Sequence, residues 1–223
     1  MEIWLDTCDT QVIAAANRLG IVYGVTTNPS ILADAQDNHE NVINKILDIQ
    51  DGPMAVQVTA DNAPEMIKQA IALHAFSDRI IVKVPVIQQG LIAMKELVNE
   101  GVAIMATAVF QPNQALLAAL AGAHYVAPYV CRMFDAGVDA YTALQTMLTM
   151  YRHYELKTKI LAAALRTTDQ ITTCGAMGIP AVTLKGPLFS QFIADDSATL
   201  ECLKVFAEDW ESRTHNAPAA LAL

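Results

Sequence analysis

Short runs rich in Ile, Val, Leu and Ala recur along this chain, and between them apolar residues return every third or fourth position. The runs cover residues 2–7, 23–27, 55–59, 80–86, 102–109, 125–130, 159–165 and 181–184. Their lengths and β-branched content predict eight buried strands. Ala63, Met66, Ile67, Ala70, Ile71 and His74 have the spacing of one helix face, as do Leu91, Met94, Lys95 and Val98. Strand and helix therefore alternate throughout. Spread over 223 residues, the unit averages about 28, near the ~250-residue total of eight βα units closed into a ring. A doubly wound open sheet shows the same alternation. Eight strands rather than five or six, and no G-x-G-x-x-G after the first, favour the closed form. The predicted fold is an α/β single-domain (β/α)8 TIM barrel over residues 1–213 with an extra C-terminal helix. That helix, Thr199 to Arg213, carries Leu200, Leu203, Phe206 and Trp210 on one stripe, and residues 214–223 are expected to be a flexible tail.

One residue breaks the apolar pattern. Lys83 stands within Arg79-Ile80-Ile81-Val82-Lys83-Val84-Pro85-Val86, where its close neighbours are apolar and mostly β-branched. Lysine is almost never fully buried unless something holds it there. Desolvation disfavours the ammonium form, and a neutral amine is a nucleophile toward carbonyls, so a Schiff-base enzyme is the sharper reading. The plainer one is a packed alkyl stem with the ammonium reaching water at the strand end.

Other polar residues fall at strand ends, where barrel chemistry gathers. Asp6, Thr26, Asn28, Gln57, Lys83, Thr107, Tyr129 and Arg132 come from six different strands and are expected on one rim. Each has an ordinary explanation alone: Asp6 with Thr7 as a helix cap, Asn28-Pro29-Ser30 as a turn and cap, Thr107 as a strand former. Capping alone does not account for the whole set together with a buried lysine.

Composition narrows the partners. A net charge of -9 and a pI near 4.9 argue against nucleic acid or an anionic membrane surface, which call for a basic face. The apolar stretches are interrupted well short of the ~18 residues of a membrane span. Cys8, Cys131, Cys174 and Cys202 are far apart, form no C-x-x-C and follow no signal peptide, as expected of reduced thiols in a cytoplasmic protein. The five histidines form no H-x-H or H-E-x-x-H pair, so a metal site has little support.

Several segments, taken together, resemble the small transaldolase family. They are Leu5-Asp6-Thr7, the stretch from Gly24 to Ser30, Val82 to Val86, Thr107-Ala108-Val109, Ala121-Gly122-Ala123, and Tyr125 to Val130 followed by Arg132. The resemblance runs from residue 1 to about Trp210 and is nearest to the fructose-6-phosphate aldolase branch. Gln57 stands where the transaldolase branch usually has glutamate, and Tyr129 where it usually has phenylalanine. Ala127 and Thr107-Ala108 also fit the aldolase branch better.

The resemblance implies a class I aldolase in which Lys83 forms an imine with the ketone carbon of the donor. Tyr129 and Gln57 would handle a proton-carrying water, with Thr107 close by. Asp6 and Asn28 would hold the donor's hydroxyls, supported by Thr26, with Ala127 lining the site, and Arg132 would face a phosphate. It implies dihydroxyacetone and an aldehyde such as glyceraldehyde 3-phosphate as the reacting pair, in pentose phosphate and related carbohydrate metabolism. It further implies no metal or organic cofactor, and a homo-oligomer of five or ten subunits in which the terminal helix packs on a neighbour.

The chain also departs from its relatives. Ala164 replaces a usual serine that helps bind phosphate, Arg166 keeps a basic position, and Lys185 stands where proline is usual. Lys185 or Arg166 is expected to replace the lost contact, the alternative being that Lys185 is an ordinary solvent-facing loop residue. Two further readings stay open: a transaldolase passing a dihydroxyacetone unit between sugar phosphates, and a non-catalytic barrel that binds sugar phosphates.

Overall fold

The computed structural model describes residues 1–35 and 37–213. In chain order the elements are β1 (Glu2–Asp6), α1 (Thr10–Asn17), β2 (Val22–Thr26), α2 (Pro29–Ala33), α3 (His39–Ile49), β3 (Met54–Gln57), α4 (Ala63–Phe76), β4 (Ile80–Pro85), α5 (Gln88–Asn99) and β5 (Ile104–Val109). There follow α6 (Pro112–Leu120), β6 (Tyr125–Pro128), α7 (Val130–Asp135), α8 (Ala140–His153), β7 (Lys159–Ala162), α9 (Thr168–Ala176), β8 (Ala181–Leu184), α10 (Gly186–Phe192) and α11 (Ser197–Arg213). The eight strands pair in parallel in sequence order, and β1 closes on β8. The predicted (β/α)8 barrel is thus the observed one.

The chain divides into a compact unit from Met1 to Phe189, which holds the whole barrel, and a second from Ser190 onward. In the second unit the predicted terminal helix forms as α11, and its Leu200, Leu203, Phe206 and Trp210 are all exposed. The expected tail at 214–223 lies outside the described residues.

Barrel strands are covered by side chains within and helices without, so they read as unbroken apolar runs rather than alternating ones. Trp4, Ala55, Ile81, Met105, Tyr125, Leu161 and Ala181 share one buried cluster inside. Trp4 lies edge-on to Tyr125, with ring centroids 5.5 Å apart, and small neighbours leave room for both rings. Gly24 is required beside them. A Cβ there would stand 2.9 Å from a Trp4 ring carbon and 2.4 Å from the Pro53 carbonyl oxygen.

The N-terminal mouth is closed by polar groups gathered on Glu2. Its carboxylate accepts from the Tyr125 hydroxyl at 2.9 Å and from Trp4 Nε1 at 3.2 Å, and it pairs with Lys159. Lys159 also lies 5.7 Å from the centre of the Tyr125 ring. Burial and the neighbouring Glu2 push the Tyr125 hydroxyl's pKa up, so it remains a donor.

At the opposite mouth the strands stop earlier than the apolar runs suggest. β7 ends at Ala162 rather than near Leu165, and Ala164 takes a left-handed φ of 57°. In β5 the pairing with β6 shifts between Ala106 and Val109, around Ala108 at φ 58°. Such backbone is unusual for alanine and turns the chain sharply. Both turns lie at the C-terminal ends of strands, where the polar residues collect.

Candidate active site

A cavity of about 610 Å³ opens at this mouth, lined by Asp6, Thr26, Asn28, Gln57, Lys83, Ala127, Tyr129, Arg132, Arg166 and Lys185, among others. These are ten of the eleven residues singled out from the sequence. Thr107 does not line the cavity, but its Oγ1 lies 2.9 Å from the Tyr129 hydroxyl, directly behind it.

Lys83 projects from the middle of β4 and is only 5 % exposed. Its Nζ donates to the Thr27 carbonyl oxygen at 2.6 Å. The ammonium therefore does not reach out to bulk water. Burial drives its pKa below the ordinary lysine value of 10.5, opposed by the negative charge of Asp6. Gln57 is its register partner on β3, so the amide and the amine sit side by side on the rim.

The alternatives considered for Asp6 and Asn28 resolve differently. The α1 cap is Asp9, which accepts from the Gln11 and Val12 amides, so Asp6 is left to the cavity. Asn28 does cap α2, its Oδ1 accepting from the Ile31 amide at 3.1 Å. Its Nδ2 hydrogens remain as the donors suited to a ligand hydroxyl in the cavity it lines. A helix cap here also lines the cavity.

Tyr129 follows β6 immediately, its amide bonded to the Val109 carbonyl at 3.0 Å and its ring edge-on to Phe110. Arg132, one turn into α7, places its guanidinium 5.0 Å from the centre of the Tyr129 ring. Aromatic stacking of this kind orients an arginine without consuming its hydrogen-bond donors. Arg166 is held otherwise. Both its terminal nitrogens engage the Asp135 carboxylate in a bidentate pair, so an anion at that point competes with a carboxylate already present. Lys185 is exposed and also lines the cavity, combining the two descriptions given of it from the sequence.

Sequence reasoning missed Asp34, Met105, Leu161, Ala163 and Thr183, all lining residues. The apolar ones carry no signal distinguishable from core. Thr183 had one: a lone hydroxyl in the short strand Ala181–Leu184, two positions before Lys185.

A closed eight-strand barrel with a buried lysine facing a polar mouth defines a well-populated class of α/β proteins. Within it, this chain belongs to the Transaldolase/Fructose-6-phosphate aldolase family, whose sequence profile matches residues 3–221. A "Probable transaldolase" of Streptococcus pyogenes serotype M2 (strain MGAS10270) is 37% identical over 212 residues, covering 95% of this chain and 99% of that one. Its counterpart in serotype M5 (strain Manfredo) is 36% identical over the same length and coverage. Among solved structures, FabK from Thermotoga maritima superposes with a TM-score of 0.57 at 15% identity over 84% of this chain, which spans 58% of the FabK chain. A mandelate oxidase variant gives 0.57 at 13% identity, over 92% of this chain and 70% of its own. At such identities these two share the barrel alone.

Among the described residues no helix is long and apolar enough to cross a membrane.

Burial of Lys83 has a consequence for stability that can be measured. With the folded pKa below the unfolded 10.5, the unfolded chain binds the extra proton between the two values, so stability rises with pH across that window. Lys83→Met removes the amine and should be more stable than wild type at pH 7, by about 1 kcal/mol or more. Urea unfolding should show this advantage shrinking as pH approaches 10.5. An advantage unchanged with pH, or a variant less stable at pH 7, contradicts the burial argument.

Proposed function

We propose that this protein is a fructose-6-phosphate aldolase-like enzyme that makes or breaks a carbon-carbon bond between dihydroxyacetone and a phosphorylated aldehyde. The carrying observation is Lys83, an amine whose pKa is lowered by burial within a polar, ligand-sized cavity. Its neutral form adds to the ketone carbon and expels water as the imine forms. The imine is an electron sink. When the bond beyond the adjacent carbon breaks, its electron pair flows toward the imine nitrogen and leaves an enamine on Lys83. The departing half becomes an aldehyde by losing its hydroxyl proton, and the Asp6 carboxylate is the acceptor for it. Asn28 orients the donor through its amide hydrogens.

The aldolase reading depends on how the enamine ends. Tyr129, hydrogen-bonded to Thr107, and Gln57, in register with Lys83, bring neutral donors and acceptors to the cavity the amine lines. A water between them can relay the proton held by Asp6 to the enamine carbon, and a water then adds to the imine, releasing dihydroxyacetone and the free Lys83 amine. A transaldolase keeps the enamine for a second aldehyde. That second reading is favoured by the printed names of the Streptococcus relatives, and it uses the same lysine.

For the phosphate, Arg132 and Lys185 are the cations this reading assigns first, because Arg166 is engaged by Asp135. Lysine in place of a shorter residue reaches across the space left by Ala164, which lines the same cavity.

Incubation with fructose 6-phosphate followed by borohydride should leave a three-carbon adduct on Lys83, located by peptide mass spectrometry. Free dihydroxyacetone should also accumulate without an added acceptor. An adduct with no release unless erythrose 4-phosphate is supplied means a transaldolase, and no adduct with fructose 6-phosphate or dihydroxyacetone sinks the Schiff-base reading. Lys185→Ala should raise KM for fructose 6-phosphate several-fold while leaving kcat within about twofold. An unchanged KM removes Lys185 from the phosphate site.

A further inference from the structure

Beneath Asp6 two hydroxyls meet across the barrel interior. β1 lies between β2 and β8, with Asp6 in register with Thr26 on one side and Trp4 in register with Thr183 on the other. Thr183 Oγ1 is 2.6 Å from Thr26 Oγ1, which is 2.8 Å from Asp6 Oδ1. Both threonines are buried. A hydroxyl carries one hydrogen, and an ionised carboxylate only accepts. Thr26 therefore spends its hydrogen on Asp6, and the hydrogen between the two threonines comes from Thr183. The chain has one direction, from Thr183 to Thr26 to Asp6.

We propose that Thr183 is a positioning residue for Asp6, acting through Thr26. Resting on the aldolase reading above, it holds Oδ1 of the carboxylate in place while Asp6 accepts the proton of the departing aldehyde's hydroxyl. Donation from Thr183 polarises the Thr26 hydroxyl and strengthens the hydrogen bond it gives to Asp6. It also occupies the acceptor side of Thr26, so that hydroxyl has no reason to rotate away. Valine at position 183 keeps the shape and deletes the donor. Thr26 is then buried with its oxygen unserved, and Asp6 loses its fixed orientation.

The test compares Thr183→Val with Thr183→Ser, which keeps the hydroxyl and loses the methyl. For fructose 6-phosphate cleavage, Thr183→Val should lower kcat about tenfold with KM within about twofold, and Thr183→Ser should remain within about threefold of wild type. Packing alone would make serine at least as damaging as valine. Equal impairment of the two, or wild-type kcat in Thr183→Val, overturns the proposal. Should the wild-type protein form no adduct with the sugar, the aldolase reading fails by itself. Crystal structures of the variants still decide the relay: the 2.8 Å contact between Thr26 and Asp6 is expected to persist in Thr183→Ser and to be lost in Thr183→Val. Its persistence in Thr183→Val overturns the relay.

Discussion

An ammonium group buried on a barrel strand loses most of its hydration, and the polar architecture of this protein is arranged around that constraint. Lys83 is placed on β4 among Ile80, Ile81, Val82 and Val84, with the Thr27 carbonyl as hydrogen-bond partner and the Asp6 carboxylate as the charge that opposes its loss of a proton. Burial lowers the cost of the neutral amine relative to the charged one. The neighbouring side chains then matter for what they do not do. Gln57 and Tyr129, the latter bonded to Thr107, bring hydrogen-bonding capacity to the same cavity without a formal negative charge that would favour the ammonium.

The two mouths of the barrel divide stability from chemistry. At the N-terminal mouth, Glu2 draws together Tyr125, Trp4 and Lys159 from different strands. At the C-terminal mouth, left-handed Ala108 marks a shift in the β5–β6 pairing, and left-handed Ala164 follows the end of β7 and lines the cavity that holds Lys83. Cations there are held with different firmness. Arg132 rests against a ring, Arg166 is matched by Asp135, and Lys185 stands exposed. Exposed ion pairs of the Asp135–Arg166 kind are weak and yield to a better-placed anion.

Much of this was legible beforehand because a barrel imposes strong rules on sequence. Strands buried on both faces must be apolar throughout, so eight such runs announced the topology, and a lysine in one of them stood out. Strand ends were less legible: β7 stops at Ala162 because Ala164 turns the backbone, a choice an alanine-rich run conceals. The cavity-lining residues legible in the sequence were those whose polarity contrasted with the run, as at Asp6, Gln57 and Lys83. Thr183 escaped because threonine is an ordinary strand former, and its contact with Thr26 spans 157 residues of sequence. The engagement of Arg166 by Asp135 was hidden for the same reason, since nothing local to either residue announces its partner.

Family membership and chemistry rest on different supports. The first follows from the match over residues 3–221; the second turns on the protonation state of one amine. Lysine labelled with 13C at Cε allows each side chain to be titrated by NMR, with Lys83→Met used to assign the signal. Lys83 is expected to titrate clearly below the exposed lysines. A Lys83 signal moving with them near 10.5 would contradict the account, because a fully charged ammonium in the resting protein is not poised to add to a carbonyl.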